Sequence, residues 1–508
     1  MTQDLDQATV IDYLNQYLKW HNMPIEVNRD GICNGIATVY IQYALQGKEK
    51  KFWELIEQIV SLKPKANMEA EINQFVYDVV LALHIEHFGY KLSQSTSMQA
   101  LTINNKSMYS SFDFAITTST HHWQKILKEI DLRPNEMMKI SSTNHSIAIK
   151  KTEKGYRVFD PNYSKGVREF ADEIALVHEL YYNVFNFRNR FYLPVGPMGM
   201  SVSIIRHPED MSPRVYPEVT KLYDKYLSQQ NINDESYVWF GNSTNTLQKA
   251  AASINDEGVI NHLLAKGAKD NNWKAAAVAI ANNNHKSLRA LIGNNKDTVM
   301  FQTFFMFALE EGREEIVDTL YDLKKALPLY SSQAIVAAAK GGNSHLLAKV
   351  IDYYERTHAG LSQLDFAISA AIPSGSVESV KLLVSKYEQA SGALTAEQHL
   401  NYLLKAIRCN QPYMVSYFIK NVPPKRLKQI HISTRSAEHT HLFITEELEK
   451  HHVPMTNNAK AVIAQKRHIP LDYMSQLGIY LAKFTDFIRE VILQQDGVYA
   501  NAPTPKKP

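Results

Sequence analysis

The chain runs to 508 residues, with a formal net charge of +3, 45% hydrophobic and 21% charged side chains. That length exceeds one ordinary core and predicts two or three domains of a folded, soluble kind. The near-neutral charge excludes nucleic acid as an electrostatically recruited partner, and two cysteines, Cys33 and Cys409, exclude a disulfide framework and fit a reducing compartment.

The polar, acidic stretch from Met1 to Asp12 has no apolar signal-peptide core, and no uncharged run reaches membrane-spanning length. Export, if it occurs, would use a route without a cleaved N-terminal signal. Over residues 1–27, Ile11, Leu14, Leu18 and Trp20 recur at near-helical spacing and predict a first helix. Next comes Asp30-Gly31-Ile32-Cys33-Asn34-Gly35, where a glycine two residues to either side of the thiol lets the backbone bend sharply. The apolar-rich run from Thr38 to Leu45 predicts a buried helix. A thiol at this place is either a small core group or a nucleophile. In the first turn of a helix, the positive end of the dipole favours the thiolate and lowers its pKa. Further helices are predicted from about Glu49 to Ser61, ended by Leu62-Lys63-Pro64, and from about Met68 to Phe88, with Ile72, Phe75, Val76, Val79, Val80 and Leu83 as its apolar stripe. His84, Glu86 and His87 lack the spacing of a helical zinc motif, so no metal is expected.

From about Ser111 the pattern becomes strand-like, with alternation over Phe112 to Thr117 and a helix from His121 to Ile130. Asn144 to Lys150 and Tyr156 to Asn162 predict two short strands around Lys151-Thr152-Glu153-Lys154-Gly155, a hairpin. A turn centred between Thr152 and Glu153 sets His145 opposite Asp160, with both side chains on one face and Cβ atoms about 5 Å apart. A one-residue slip would separate them. Pro161 ends the strand and leaves Asp160 at an exposed tip. Taken alone, His145 is a strand histidine and Asp160 a turn residue. Together with Cys33 they compose a thiol hydrolase: Cys33 attacks a carbonyl, His145 moves the proton, and Asp160 orients the imidazole. The backbone N–H of Cys33 and the side chain of Asn28 are candidates for an oxyanion hole; Asn144 and Asn162 offer further polar support.

These residues resemble a known family. Asp30-Gly31-Ile32-Cys33-Asn34-Gly35, then His145-Ser146-Ile147-Ala148, then Phe159-Asp160-Pro161-Asn162 with Gly166 beyond, are similar to the YopT/AvrPphB-like cysteine peptidases over roughly residues 25–200. These are papain-like-fold effectors that bacteria inject into host cells. The resemblance implies a triad of Cys33, His145 and Asp160, cleavage of a host protein and no cofactor. A tryptophan often found a few residues beyond the family's cysteine is replaced here by Tyr40 or Tyr43. The Asp-Gly-x-Cys string also resembles ovarian-tumour-type deubiquitinases, whose histidine stands in a different context.

Phe185, Phe187, Phe191, Tyr192, Leu193 and Val195 predict strands of the same sheet, with Val202 to Ile205 as a last strand. Pro208, Pro213 and Pro217 mark a linker. From about Thr246 the sequence repeats: a small, alanine-rich segment, a glycine or asparagine at 312, 342, 375 and 410, then an apolar segment. The steps are 30, 33 and 35 residues, the period of ankyrin repeats, and Leu264-Ala265-Lys266-Gly267-Ala268 matches that family's Leu-x-x-Gly-Ala ending. The expected architecture is therefore an α+β papain-like cysteine protease domain (1–207), a linker (208–245), an all-α ankyrin-repeat solenoid (246–430), a helical C-terminal cap (431–494) and a disordered tail (495–508).

Two functions from different classes follow. One is a translocated cysteine peptidase whose ankyrin concave face recruits a host protein. The other is a catalytically silent adaptor in which the same face binds the host protein; the layout is similar to AnkH-type effectors of intracellular bacteria. Both place the protein in the host cytoplasm, or the nucleus, with no membrane span and no nucleic-acid partner.

Overall fold

The computed structural model describes residues 7–20, 27, 32–61, 69–83, 98–164, 166–188, 191, 193, 196–238, 243–293, 297–323, 331–358, 363–432, 437, 440–466 and 498–500. The architecture is mixed α+β, with one six-stranded sheet and many helices. No helix among the described residues is long and apolar enough to cross a membrane. The chain forms two compact units. The first holds Met1–Tyr17, Val27–Ala308 and Arg313–Leu327, and the second holds Leu18–Glu26, Leu309–Gly312 and Pro328–Pro508.

In the first unit, β1 (Ser110–Thr118), β2 (Glu136–Ser141), β3 (Ser146–Thr152), β4 (Gly155–Phe159), β5 (Val167–Phe170) and β6 (Met198–Arg206) pair antiparallel in the order β1-β6-β2-β3-β4-β5. Side chains alternate across the pleat, so the register sorts them into two unlike faces. The row Phe114, Val202, Ile140, Ile147 and its neighbour Phe112, Ile204, Met138, Ile149 are buried on one face. A helix from Thr120 to Ile130 and another from Val219 to Tyr226 cover it. The Trp123 indole N–H donates to the Met198 carbonyl at 2.8 Å, and the Tyr223 hydroxyl donates to the Ala115 carbonyl at 2.9 Å.

The opposite face carries Asp113, Ser203, Lys139 and Ala148 in one row and Ala115, Ser201, Ser141 and Ser146 in the next. Two elements lie over it. The helix Cys33–Leu45 crosses β2 and β3, and the helix Thr246–Ser253 crosses β1 and β6. The first is anchored by Tyr40, whose ring stacks on Phe159 at 4.1 Å within a cluster that includes Phe52 and Trp53. The second begins at a reciprocal cap between Asn245 and Gln248, and Thr246 Oγ1 accepts the Thr117 N–H at 3.0 Å.

Three expectations are corrected. The described residues of 208–245 are folded rather than a linker. Arg214 Nε donates to Glu136 Oε1 at 2.7 Å with both side chains buried, and Arg214 Nη2 donates to the Ile130 carbonyl at 2.6 Å; residues 219–226 are helical and Tyr237–Val238 pairs with Phe187–Arg188. The aromatic residues expected to join the six-stranded sheet before β6 do not: Phe187 lies in the strand Phe187–Arg188, which pairs with Tyr237–Val238 instead, and Phe185, Phe191 and Leu193 lie outside strands. The expected disordered tail includes residues 498–500, which pair with Ile430–Ile432. The helix predicted from about Met68 to Phe88 is described over Glu69–Leu83; His84, Glu86, His87, Tyr192, Val195 and residues 467–494 of the expected cap lie outside the described residues.

Helices come in short pairs joined by tight turns. Thr246–Ser253 with Glu257–Ala265 and Lys274–Ala281 with His285–Ile292 belong to the first unit. Asn284 Nδ2 donates to the Ala251 carbonyl at 2.8 Å and ties one pair to the next. In the second unit, Ser332–Gly341 pairs with Ser344–Thr357, Leu364–Ala371 with Val377–Ser391, and Ala396–Arg408 with Pro412–Ile419. A left-handed residue recurs in the turns at Gly342, Gly375 and Asn410. At Gly341 a Cβ would stand 2.2 Å from the Leu309 carbonyl oxygen. In an isolated helix Gly341→Ala would gain about 1 kcal/mol of propensity. Here the overlap with backbone dominates, and the substitution is expected to cost about 1–3 kcal/mol, read as a lower urea midpoint for the second unit.

Candidate active site

The sheet and its covering helices bring the three sequence-predicted residues together in the first unit. Cys33 is the first residue of the Cys33–Leu45 helix, whose N-cap, Ile32, brings no side-chain cap. His145 stands in the turn between β2 and β3, closed by the Ser142 N–H donating to the His145 carbonyl at 2.9 Å. Asp160 is the first residue beyond β4. His145 Nε2 lies 2.8 Å from Asp160 Oδ1, with the two side chains 9% and 2% exposed. The same carboxylate oxygen accepts the Asn162 N–H at 2.8 Å, so its orientation is held from two sides. Cys33, Asn34, His145 and Ser146 line one cleft, and the His145 ring and the Ser146 and Asn34 N–H groups act on the Cys33 thiol. Since Nε2 faces Asp160, the nitrogen left for sulfur is Nδ1.

The predicted hairpin register is corrected. Ala148 pairs with Phe159 and Thr152 with Gly155, which centres the turn between Glu153 and Lys154. Gly155 closes it at φ +123, where a Cβ would fall 2.1 Å from the Phe170 carbonyl oxygen. Each partner thus moves two residues along the strand, and Asn162 rather than Asp160 takes the register position opposite His145. A two-residue shift preserves the face, and the imidazole reaches Asp160 diagonally. Asp160 is not an exposed tip: the chain turns back after it, Asp160 N–H donating to the Gly166 carbonyl at 3.2 Å. Gly166 has φ +70, and a Cβ there would lie 1.9 Å from the Trp53 ring. The glycine lets this turn settle on the aromatic cluster. Asn28, the amide expected at the oxyanion hole, lies outside the described residues.

The electrostatics favour a charged pair. Burial pushes the Cys33 thiol up, but the His145 hydrogen bond, the imidazolium charge and the Ser146 and Asn34 amides outweigh it, leaving the thiol below its ordinary value. Burial pushes His145 down, and its bonds to Asp160 and Cys33 with their charges carry it up to about 9. Both shifts favour the thiolate–imidazolium form of the pair over the neutral one. Cys409 is the contrast: burial raises its thiol.

Sequence reasoning missed two lysines. Cys33 and His145 open onto a cleft of about 470 Å³ whose wall includes Lys139 of β2 and Lys249 of the Thr246–Ser253 helix, each 5% exposed. The available signals were a cation inside the apolar strand Met137-Met138-Lys139-Ile140 and another ahead of Ala250-Ala251-Ala252. No known protein family, no curated protein and no solved structure matches the chain.

Two predictions test the pair. Cys33 is expected to alkylate with iodoacetamide at pH 7 at least about tenfold faster than Cys409, since each unit of thiol pKa is tenfold in thiolate. Its rate should rise with pH at lower pH than that of Cys409, whose thiol burial raises. In His145→Ala the two largest opposing interactions are gone and only the Ser146 and Asn34 amides still work against burial, so the Cys33 rate at pH 7 should fall about tenfold; Asp160→Asn should move it in the same direction. Peptide mass spectrometry of each site gives the rates.

Proposed function

We propose that this protein is a cysteine peptidase of papain-like architecture, acting on a host protein that an ankyrin-type repeat array recruits. The observation that carries the reading is the imidazole of His145 shared between the Asp160 carboxylate and the Cys33 thiol. In acylation the Cys33 thiolate attacks the scissile carbonyl carbon. The developing oxyanion is met by the Cys33 backbone N–H at the uncapped helix end. The C–N bond then breaks as His145 delivers its Nδ1 proton to the leaving amine. In deacylation His145 takes a proton from water, whose oxygen attacks the thioester and releases the acid and the thiolate. Asp160 holds the ring in the tautomer and orientation that both steps need.

Support for the recruiting array is local. Alanine-rich first helices, left-handed turn residues and bonds between successive pairs recur, including Ser379 Oγ donating to the Gly342 carbonyl at 3.2 Å. Stacked pairs of this kind present extended faces suited to protein partners. In this reading the protein acts in the host cytoplasm.

The test is a survey of protein N-termini in host-cell extract treated with wild type or with Cys33→Ser. New N-termini confined to the wild type are expected. Identical profiles from the two would remove the peptidase reading and leave the adaptor, in which the repeat face binds its partner without cleavage.

A further inference from the structure

We infer that the cleft beside Cys33 is a subsite for a carboxylate, and that the peptidase proposed above prefers a substrate with an acidic side chain next to the scissile bond. This rests on the triad reading and adds a substrate class to it. The key group is Lys249. Its side chain lines the same cleft as Cys33 and His145 and is 95% buried, being 5% exposed. Its ammonium has no hydrogen-bond or ion-pair partner among the described residues, and burial alone acts on it, pushing it down to about 7. A buried cation without a counter-ion is one of the costlier groups a fold can retain.

Lys139, the second buried lysine, is in a different position. It shares a sheet face with Asp113, through the row Asp113, Ser203, Lys139. Burial pushes it down to about 8, against the charges of Cys33 and Asp113, which favour its ammonium. Lys139 thus faces acidic groups of the protein's own, whereas none acts on Lys249. No aspartate or glutamate is among the cleft's lining residues, and apart from Cys33, His145 and the two lysines its polar lining is neutral, with Ser203 donating to Asp113 and Asn282 to the Val278 carbonyl. One positive charge with no acid of its own suits a monoanion. A carboxylate fits that count better than a phosphate dianion, which would call for a second cation or a fork of donors. The helix bearing Lys249 is fixed by the Asn245–Gln248 cap and by Thr246 on Thr117, so the charge is held in place before a ligand arrives.

The experiment compares two alkylating probes of similar size on the full-length protein, neutral iodoacetamide and anionic iodoacetate. In both, Cys33 Sγ displaces iodide. Lys249→Met is expected to lower the iodoacetate rate at Cys33 about five- to tenfold, the scale of one partly screened charge near an incoming anion. The iodoacetamide rate should stay within about twofold, and Lys249→Arg should keep the iodoacetate preference. Both rates at Cys409 should be unchanged. Propionate should protect Cys33 from iodoacetamide at lower concentration than inorganic phosphate, and Lys249→Met should abolish that protection. An unchanged iodoacetate-to-iodoacetamide ratio in Lys249→Met, or protection by phosphate ahead of propionate, overturns the inference. The peptidase reading is judged separately, by the response of the iodoacetamide rate to His145→Ala. An unaltered iodoacetamide rate in Lys249→Met also shows that the site has kept its fold.

Discussion

The imidazole of His145 spans the gap between a carboxylate just past one strand and a thiol at the start of a helix 112 residues earlier in the chain. Its two nitrogens leave no freedom. Nε2 is committed to Asp160 at 2.8 Å, so the thiol can be served only by Nδ1, and only while the ring keeps its present plane. Everything nearby limits that plane. Ser142 closes the turn that carries the ring, Asn162 fixes the carboxylate, and Phe185 meets the ring edge-on at 6.0 Å. Chemistry at the sulfur is thus governed by backbone turns on both sides of a single hairpin.

The sheet makes this possible by having two unlike faces. One is packed with phenylalanine, isoleucine, methionine and valine against helices, and each such side chain contributes about 1.5–3 kcal/mol on burial. The other is populated by serine, alanine, lysine and aspartate. A buried lysine is unfavourable by several kcal/mol when unmatched, and the apolar face offsets that cost. The polar face then stays open between two covering helices as a cleft, with the thiol at one wall and a repeat-like helix at the other. That helix adds to the site's wall and belongs to the same compact unit as the triad.

How much of this was legible can be judged from particular residues. Cys33, His145 and Asp160 were readable because each type is chemically distinctive and each sits beside a glycine, a turn or a proline that marks its local structure. The hairpin was readable, but its register was not. Choosing between a turn centred at Thr152–Glu153 and one centred at Glu153–Lys154 depends on the strain relieved by Gly155 against the Phe170 carbonyl, a contact from the next strand. The linker reading failed because prolines at 208, 213 and 217 signal a break in regular structure, whereas Arg214 is held by Glu136, some eighty residues away. Phe187 was legible as strand-forming, but its partner, Tyr237–Val238, lies far along the chain in the stretch read as a linker.

By itself the sequence determined the local matters: where helices and strands begin, which face of each is apolar, and which three residues are the candidates for chemistry. Those depend on interactions within a few residues along the chain, and periodicity and turn chemistry report them directly. Tertiary structure alone decided that Lys139 and Lys249 share a cleft with the thiol, that Asp160 is buried, and that the Thr246–Ser253 helix forms the cleft's wall. A lysine's sequence neighbours say nothing of whether a carboxylate lies across the sheet. Its burial and its lack of a counter-charge exist only once distant segments have packed around it.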